Sequence, residues 1–150
     1  MKQVFGIAAL AALCATSSVA VAQQKPENVI KFRKGAYSVM GWYMGPMGAM
    51  VKGQAPFDQK VFVRNSAVIE QMSHVVPDAF APGSDKGADT RAKPEIWSQP
   101  DKFKAAMERF QGEATKMSQV SKGGNQDQIR QQFGALAKAC DNCHDDFRAK

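Results

Sequence analysis

The C-terminal segment carries an apolar stripe with helical spacing, and this pattern constrains the fold more than any other. From Ile129 onward, every fourth or third side chain is apolar or a cysteine. These intervals return to one face of an α-helix, so the segment is predicted to be a helix packed on a core. Asn125 is the predicted N-cap and Gln128 its capping-box partner. The stripe consists of Ile129, Phe133, Leu136, Cys140, Cys143 and Phe147.

Three earlier segments repeat this spacing. The first helix is predicted to start near Pro26, the second to span about 57–76, and the third to run from Gln99 or Pro100 to about residue 121. Pro77 is expected to stop the second helix. The stripes are Ile30, Arg33, Tyr37, Met40 and Met44; Val61, Val68, Met72 and Val75; and Phe103, Met107, Phe110, Ala114 and Met117.

The predicted elements define the fold class. Four helices of about 20 residues without a convincing strand indicate an all-α protein, an antiparallel up-down-up-down four-helix bundle. The joints are expected at 53–56, at the long stretch 77–97 and at Gly123-Gly124. The cysteines of the last stripe are therefore expected to face the bundle core.

Those cysteines belong to a C-x-x-C-H motif, Cys140-Asp-Asn-Cys143-His144. This motif is the covalent attachment sequence of a c-type haem. The two thiols add to the porphyrin vinyl groups, and the imidazole becomes an axial ligand of the iron. The sequence thus predicts one covalent haem c in the bundle core, with Cys140 and Cys143 as attachment points and His144 on the iron.

Three other fates of the cysteine pair are less favoured. A disulfide between Cys140 and Cys143 would close a very small loop within a helix. A thioredoxin-like pair needs a βαβ context, which the pattern does not offer. A zinc site needs two further ligands, and His74 is the other histidine of the chain.

The N-terminus predicts export. Residues 1–22 combine Lys2, an apolar run over 4–15 and the small-residue exit Ala20-Val-Ala22, as in a secretory signal peptide cleaved after Ala22. The apolar run is too short for a membrane span, and no later segment resembles one. Residues 23–150 are then a single domain in the periplasm, where such haems are attached.

Charge argues against one class of partner. The formal net charge is +6, but the basic residues are interspersed, and no basic run with stacking aromatic residues occurs. We therefore expect no nucleic-acid binding.

Several short elements follow one another in a specific order and spacing: 25–27 with 31–33, Met40-Gly-Trp42, 50–56, 94–98 and 140–148. Together these elements resemble a known family, the cytochromes c′ of the class II c-type cytochromes. The similarity covers essentially the whole of 23–150, and one departure is the segment 90–93, which reads as a small insertion before Pro94.

The resemblance implies a homodimer packed through its first two helices. It also implies a five-coordinate, high-spin iron with His144 as the protein ligand and apolar or aromatic side chains over the open face. Such proteins bind NO and CO, and electron transfer with small redox partner proteins or protection against nitric oxide is expected.

Three further residues are assigned roles. Family alignment places Tyr37 over the open iron face, and the periodicity independently puts it on the core stripe. Arg33 is unusual in a core stripe unless it meets an anion, so a haem propionate is its expected partner. Arg148 resembles the basic residue on the proximal side, although a cation also suits the end of a helix.

Several alternatives stay open. Met40 shares the stripe of Tyr37 and would give a six-coordinate, low-spin electron-transfer protein if it ligated the iron. The spacing of Met44, Met47 and Met50 suits copper(I), but core filling is the simpler interpretation. A peroxidase-like or NO-reducing enzyme would need a distal acid–base group, for which Arg33 is the candidate; no enzymatic activity is expected. His74 is expected at the surface, and Trp42 and Trp97 are expected as packing anchors.

Overall fold

The computed structural model describes residues 24–150, and these form a four-helix bundle with a short extra helix. The predicted signal peptide lies outside the described residues. The helices are α1 (Pro26–Val51), α2 (Gln59–Val75), α3 (Glu95–Ser98), α4 (Pro100–Gly123) and α5 (Gln126–Phe147). The predicted fold class is confirmed, with α1, α2, α4 and α5 as the bundle.

The second helix differs from its prediction at both ends. Asp58 is its N-cap, because the Asp58 carboxylate accepts hydrogen bonds from the N–H groups of Lys60 and Val61. The helix therefore begins two residues later than predicted. At the other end the chain continues beyond Val75 as a 3₁₀ helix over Val76–Phe80. Pro77 lies within that tighter turn, whose first residues need no N–H donor.

The ends of the other helices follow their signals. Pro26 and Pro100 occupy the first turns of α1 and α4, where a missing N–H costs nothing. Asn125 and Gln128 form the predicted capping box of α5. The long joint before α4 is more ordered than predicted, since it contains the 3₁₀ helix, α3 and an isolated antiparallel bridge between Ala92 and Arg148.

One end of the bundle, the closed end, is filled by its own side chains. The ring of Phe62 stacks on Phe57 at 5.3 Å and meets Phe133 edge-on at 6.1 Å between centroids. Ser66 and Ser121 share a hydrogen bond of 2.9 Å across α2 and α4. The closed end is formed by Met47, Met50, Phe57, Phe62, Ser66, Met117, Ser121, Ile129 and Phe133.

The opposite end, the cavity end, is hollow. The start of α1, the end of α2, the start of α4 and the end of α5 meet there, as antiparallel neighbours must. Helix α2 packs extensively on α4 and α4 on α5, but α1 and α5 touch little. A cavity separates these two helices, and it contains the candidate site.

Three residues for which the sequence predicts a location lie outside the cavity lining: Trp97, Trp42 and His74. Trp97 is half-buried and its indole N–H donates to the Phe80 carbonyl at 3.1 Å, which confirms its packing role. Trp42 is 79% exposed, so its prediction as a packing anchor is wrong within this chain: position 42 lies off the buried stripe of α1. His74 is exposed, as predicted.

Within 24–150, no helix has the length and apolarity needed to cross a membrane.

Candidate functional site

The cavity between α1 and α5 has a volume of about 650 Å³, which suits a cofactor-sized molecule. Its lining is predominantly apolar and comes from all four bundle helices, with the 3₁₀ helix and the segment before α3 at its mouth. The side chains predicted for the site, Arg33, Tyr37, Cys140, Cys143, His144 and Arg148, all line it. The structure therefore brings together residues that lie more than a hundred positions apart in the sequence.

The two thiols lie on the cavity face of α5. Cys140 and Cys143 are partly buried, and burial is the main reason why the pKa of each rises to about 11. Asp141 adds to the rise at Cys140 and Asp146 to that at Cys143. Redox-active pairs have lowered thiol pKa values, so these protonated thiols oppose the thioredoxin-like alternative. In the described part of the chain no cluster of three His, Cys, Asp or Glu could hold a metal ion, which leaves the zinc alternative without support.

His144 is held as a neutral imidazole. Burial lowers its pKa, the nearby cation of Arg148 lowers it further, and Asp141 and Asp145 act in the opposite direction. A neutral imidazole keeps a nitrogen lone pair for a metal ion. His144 thus has the protonation state that an axial ligand requires.

Tyr37 faces His144 across the cavity. The two ring centroids are 6.4 Å apart and their planes are inclined by 56°. Burial raises the pKa of the Tyr37 phenol, and the neighbouring cysteines raise it further, so the hydroxyl stays protonated. Phe80 supports the phenol ring edge-on at 6.3 Å. A neutral aromatic side chain therefore stands opposite the imidazole.

Arg33 is a buried cation, only 4% exposed, at the rim of the cavity. Its two terminal nitrogens donate four hydrogen bonds, to the Ala79 carbonyl (3.0 Å), to the Ser84 hydroxyl (3.2 Å) and carbonyl (2.8 Å), and to the Thr90 hydroxyl (2.8 Å). The guanidinium also lies 5.1 Å from the ring centroid of Phe80. Burial lowers the pKa of Arg33, but a guanidinium remains charged.

These partners of Arg33 were not found from the sequence. Ser84 and Thr90 lie 51 and 57 positions beyond it, and no local pattern links a loop serine or threonine to an arginine on another element. The ion pairs in the described residues do not include Arg33. Hydrogen-bond acceptors and the rings of Phe80 and Trp97 therefore stabilise its charge, and no carboxylate of the described residues neutralises it.

Arg148 follows α5 directly. Its side chain lines the cavity near His144, while its backbone pairs with Ala92 in the isolated bridge. Met40 and Met44 also line the cavity, and Met40 is buried. Met47 and Met50 are buried at the closed end, which agrees with core filling.

The residues present fit a haem c. Two thiols and a neutral imidazole share one wall, an apolar lining surrounds them, and an arginine lies at the rim. When bound, the haem supplies the redox couple and an iron centre for diatomic gases; the chain supplies attachment, a ligand and an apolar surrounding.

Comparison with known proteins gives a family and close relatives. The family described as Cytochrome C' matches residues 28–148. Cytochrome c' of Rubrivivax gelatinosus is 39% identical over 127 residues, which cover 85% of this chain and 98% of the relative.

Solved structures agree with this result. Cytochrome c prime from Shewanella frigidimarina has a TM-score of 0.81 and 34% identity, covering 85% of this chain and 99% of that one. A nitric oxide complex of a variant of cytochrome c prime from Alcaligenes xylosoxidans has a TM-score of 0.78 and 37% identity, covering 85% and 98%.

Proposed function

This chain belongs to the cytochrome c′ family, whose members carry covalently attached haem c, and on that premise we propose that it is an exported, periplasmic haem protein that binds NO and CO and carries electrons. The observation that carries the proposal is the pairing of Tyr37 with His144, 6.4 Å apart across a cavity that both thiols also line. The bound nitric oxide in the Alcaligenes structure supports the choice of ligand. Residues 1–22 act as the signal peptide in this proposal.

The residues that line the cavity are assigned the following roles in binding haem. Cys140 and Cys143 form the two thioethers, and His144 is the axial iron ligand. Arg33 makes no hydrogen bond through Nε to the described residues, so that N–H is available to a haem propionate. Arg148 lies on the proximal side with His144. Acid–acetone extraction tests attachment: the purified protein should keep its red colour, and a colourless polypeptide would contradict it.

Tyr37 is proposed to cover the open face of a five-coordinate, high-spin iron. Its protonated phenol is a poor ligand, so its effect on incoming gases is steric. Removing the ring in Tyr37→Ala should raise the affinity for CO and NO, whereas Tyr37→Phe should leave the steric barrier in place. Equal gas affinities in Tyr37→Ala and the unchanged protein would count against this role.

Met40 is the alternative distal ligand, because it is buried and lines the same cavity. The structure favours Tyr37, since its ring is the one paired with His144. Visible spectra of the ferric and ferrous protein distinguish the two: broad high-spin bands support Tyr37 over an open site. Sharp low-spin bands that disappear in Met40→Ala would establish the six-coordinate alternative.

We propose no enzymatic turnover. His144 is the one histidine in the cavity lining, and the terminal N–H groups of Arg33 are engaged by the loop. The lining thus offers neither a second histidine nor a free terminal N–H of Arg33 for acid–base work on peroxide or NO. Steady peroxide-dependent or NO-dependent turnover by the purified protein would overturn this view. Small redox proteins are the proposed electron partners.

A homodimer is proposed from the exposed face of α1. Phe32 (45% exposed), Val39 (42%) and Trp42 (79%) lie at intervals of seven and three residues, and Val75 of α2 (38%) is also exposed. Phe32, Val39 and Val75 border one apolar groove. Such a surface is covered in water by a partner, and a second copy provides the same apolar face.

Sedimentation of Trp42→Glu tests the dimer. A buried carboxylate at the interface should convert the dimer into a monomer, while Gln131→Glu, which adds the same group to an exposed position of α5, should not. A monomeric unchanged protein, or a dimeric Trp42→Glu, would contradict the proposal.

A further inference from the structure

The segment before α3, residues 90–93, will be called the strap, and three of its residues, Thr90, Arg91 and Ala92, line the cavity. It pairs with the C-terminal tail in an antiparallel bridge between Ala92 and Arg148. The Lys93 N–H donates to the Phe147 carbonyl at 2.9 Å, and the Ala149 N–H donates to the Arg91 carbonyl at 2.8 Å. The strap thus forms backbone hydrogen bonds with the C-terminal end of α5 and with the residues that follow it.

Lys93 completes the end of α5. The last four carbonyls of a helix have no partner within it, and those of α5 belong to residues 144–147. The Lys93 ammonium donates to the carbonyls of Asp145 (2.8 Å) and Asp146 (3.2 Å). The backbone N–H of Lys93 donates to the carbonyl of Phe147. The remaining carbonyl, of His144, accepts from the Arg148 N–H at 3.0 Å. Lys93 alone therefore holds three of the four.

The other end of the strap reaches α1. The Thr90 hydroxyl accepts from a terminal nitrogen of Arg33 at 2.8 Å and from the Ala92 N–H at 3.2 Å. Helices α1 and α5 touch little directly because the cavity lies between them. The strap is thus a bonded connection between the wall that carries Tyr37 and the turn that carries His144.

We propose that the strap positions His144, with Lys93 as the principal positioning residue, and so sets the strength of the bond between the imidazole and the iron. This inference rests on the proposed role of His144 as axial ligand. Helix ends fray when their carbonyls are unpaired, and His144 belongs to the last turn of its helix. Groups that fix the orientation of a ligating histidine tune its bond to the metal.

The test compares Lys93→Met, Lys93→Arg and Lys102→Met in the haem-loaded protein. Lys93→Met removes the bonds to two α5 carbonyls. Lys93→Arg keeps donors for them. Lys102→Met is the matched control, because Lys102 forms an ion pair with Asp146 at 3.1 Å in the same turn but lies outside the strap.

Two measurements report on the strap. In Lys93→Met, hydrogen exchange at the Arg148 amide should quicken by roughly fivefold for each lost bond. In resonance Raman spectra of the ferrous protein, the iron–histidine band should move to lower frequency and broaden. Lys93→Arg should restore both properties, and Lys102→Met should leave the band in place.

An unchanged band in Lys93→Met with fully attached haem would overturn the proposal, as would an equal shift in Lys102→Met. Should Lys93→Met fail to fold, Ala149→Pro provides the second route, since it removes only the N–H that donates to Arg91. The backbone of Arg148 (φ −121°, ψ 128°) already suits a residue before proline. Loss of covalent haem in every variant and in the unchanged protein would instead refute the proposed function.

Discussion

The two ends of the bundle use the same helices and the same spacing of apolar residues, yet only one end is filled. At the closed end, Phe62, Met117 and Ile129 are fully buried and the rings of Phe57, Phe62 and Phe133 are in contact. At the cavity end, Tyr37 and His144 stand opposite each other around a volume of about 650 Å³. Side chains alone thus pack one end, whereas the other requires a cofactor to complete its core.

The difference shows how a bundle can separate stability from function. Protein interiors are as dense as organic crystals, so a large apolar cavity is tolerated only where other contacts hold its walls. At the cavity end the ring of Phe103 packs edge-on against Phe80 at 4.9 Å and against Phe147 at 5.3 Å between centroids. Polar contacts at the rim add to these: the hydrogen bonds of Arg33 to the Ala79 and Ser84 carbonyls and of Lys93 to α5. Both ends bury apolar side chains, but only the closed end is filled by them.

The largest effect is expected from removing both thiols. In the double variant Cys140→Ala and Cys143→Ala, no thioether can form, so covalent haem should fall to nothing by intact-mass measurement. The single variants should retain one thioether at most. Full covalent loading of the double variant would show that the attachment site lies elsewhere.

A core deletion at the closed end should lower the stability of the protein but leave its haem site intact. Phe62→Ala removes a fully buried ring and should lower the free energy of unfolding by about 3–5 kcal/mol, measured by urea denaturation. Its visible spectrum should stay unchanged where it is folded. Phe62→Leu keeps most of the volume and should cost less than about 1.5 kcal/mol. A changed haem spectrum in the folded Phe62→Ala protein would contradict the separation of the two ends.

Alkaline pH should destabilise the haem-free chain through its cavity end. Burial raises the pKa of Cys140 and Cys143 from 9.0 to about 11. The unfolded thiols therefore ionise first, and stability that is present below pH 9 is lost as the pH rises towards 11. Each thiol should contribute about 3 kcal/mol at most, and less because both thiols are partly exposed to solvent.

Urea denaturation between pH 8 and pH 11 measures this loss. The haem-free double variant without both thiols is the control and should lose less stability over that range. Thioether formation also removes the titrating groups, so the haem-loaded protein should behave like the control. Identical pH profiles for the haem-free chain with and without its thiols would refute the prediction.

The smallest effect is expected at the cap of α5. Asn125→Ala removes the side-chain acceptor of the Gln128 N–H at 3.0 Å and should cost about 1 kcal/mol. Asn125→Asp keeps an acceptor and should restore the stability. Because the cap lies at the closed end, the affinity for CO and NO should not change in Asn125→Ala. A changed gas affinity would show that the closed end and the cavity end are coupled.

Much of this architecture could be predicted from local patterns. Stripes at intervals of three and four, the capping box at Asn125, the proline at the start of α4 and the C-x-x-C-H motif depend on neighbours a few residues away, so their physics is contained in short segments. Trp42 shows the limit of the approach. The sequence predicts a packing anchor there, yet the side chain is 79% exposed, because position 42 lies off the stripe of α1 that faces the core.

The sequence by itself determined the four helices, their order and the one helix that carries two thiols and an imidazole on a single face, because helical periodicity and capping are local. Only the tertiary structure decided that Tyr37 meets His144, that Arg33 is held by Ser84 and Thr90, and that Lys93 completes the end of α5. These partners are separated by dozens of residues, and their contacts arise where antiparallel helices and a returning loop converge on one cavity.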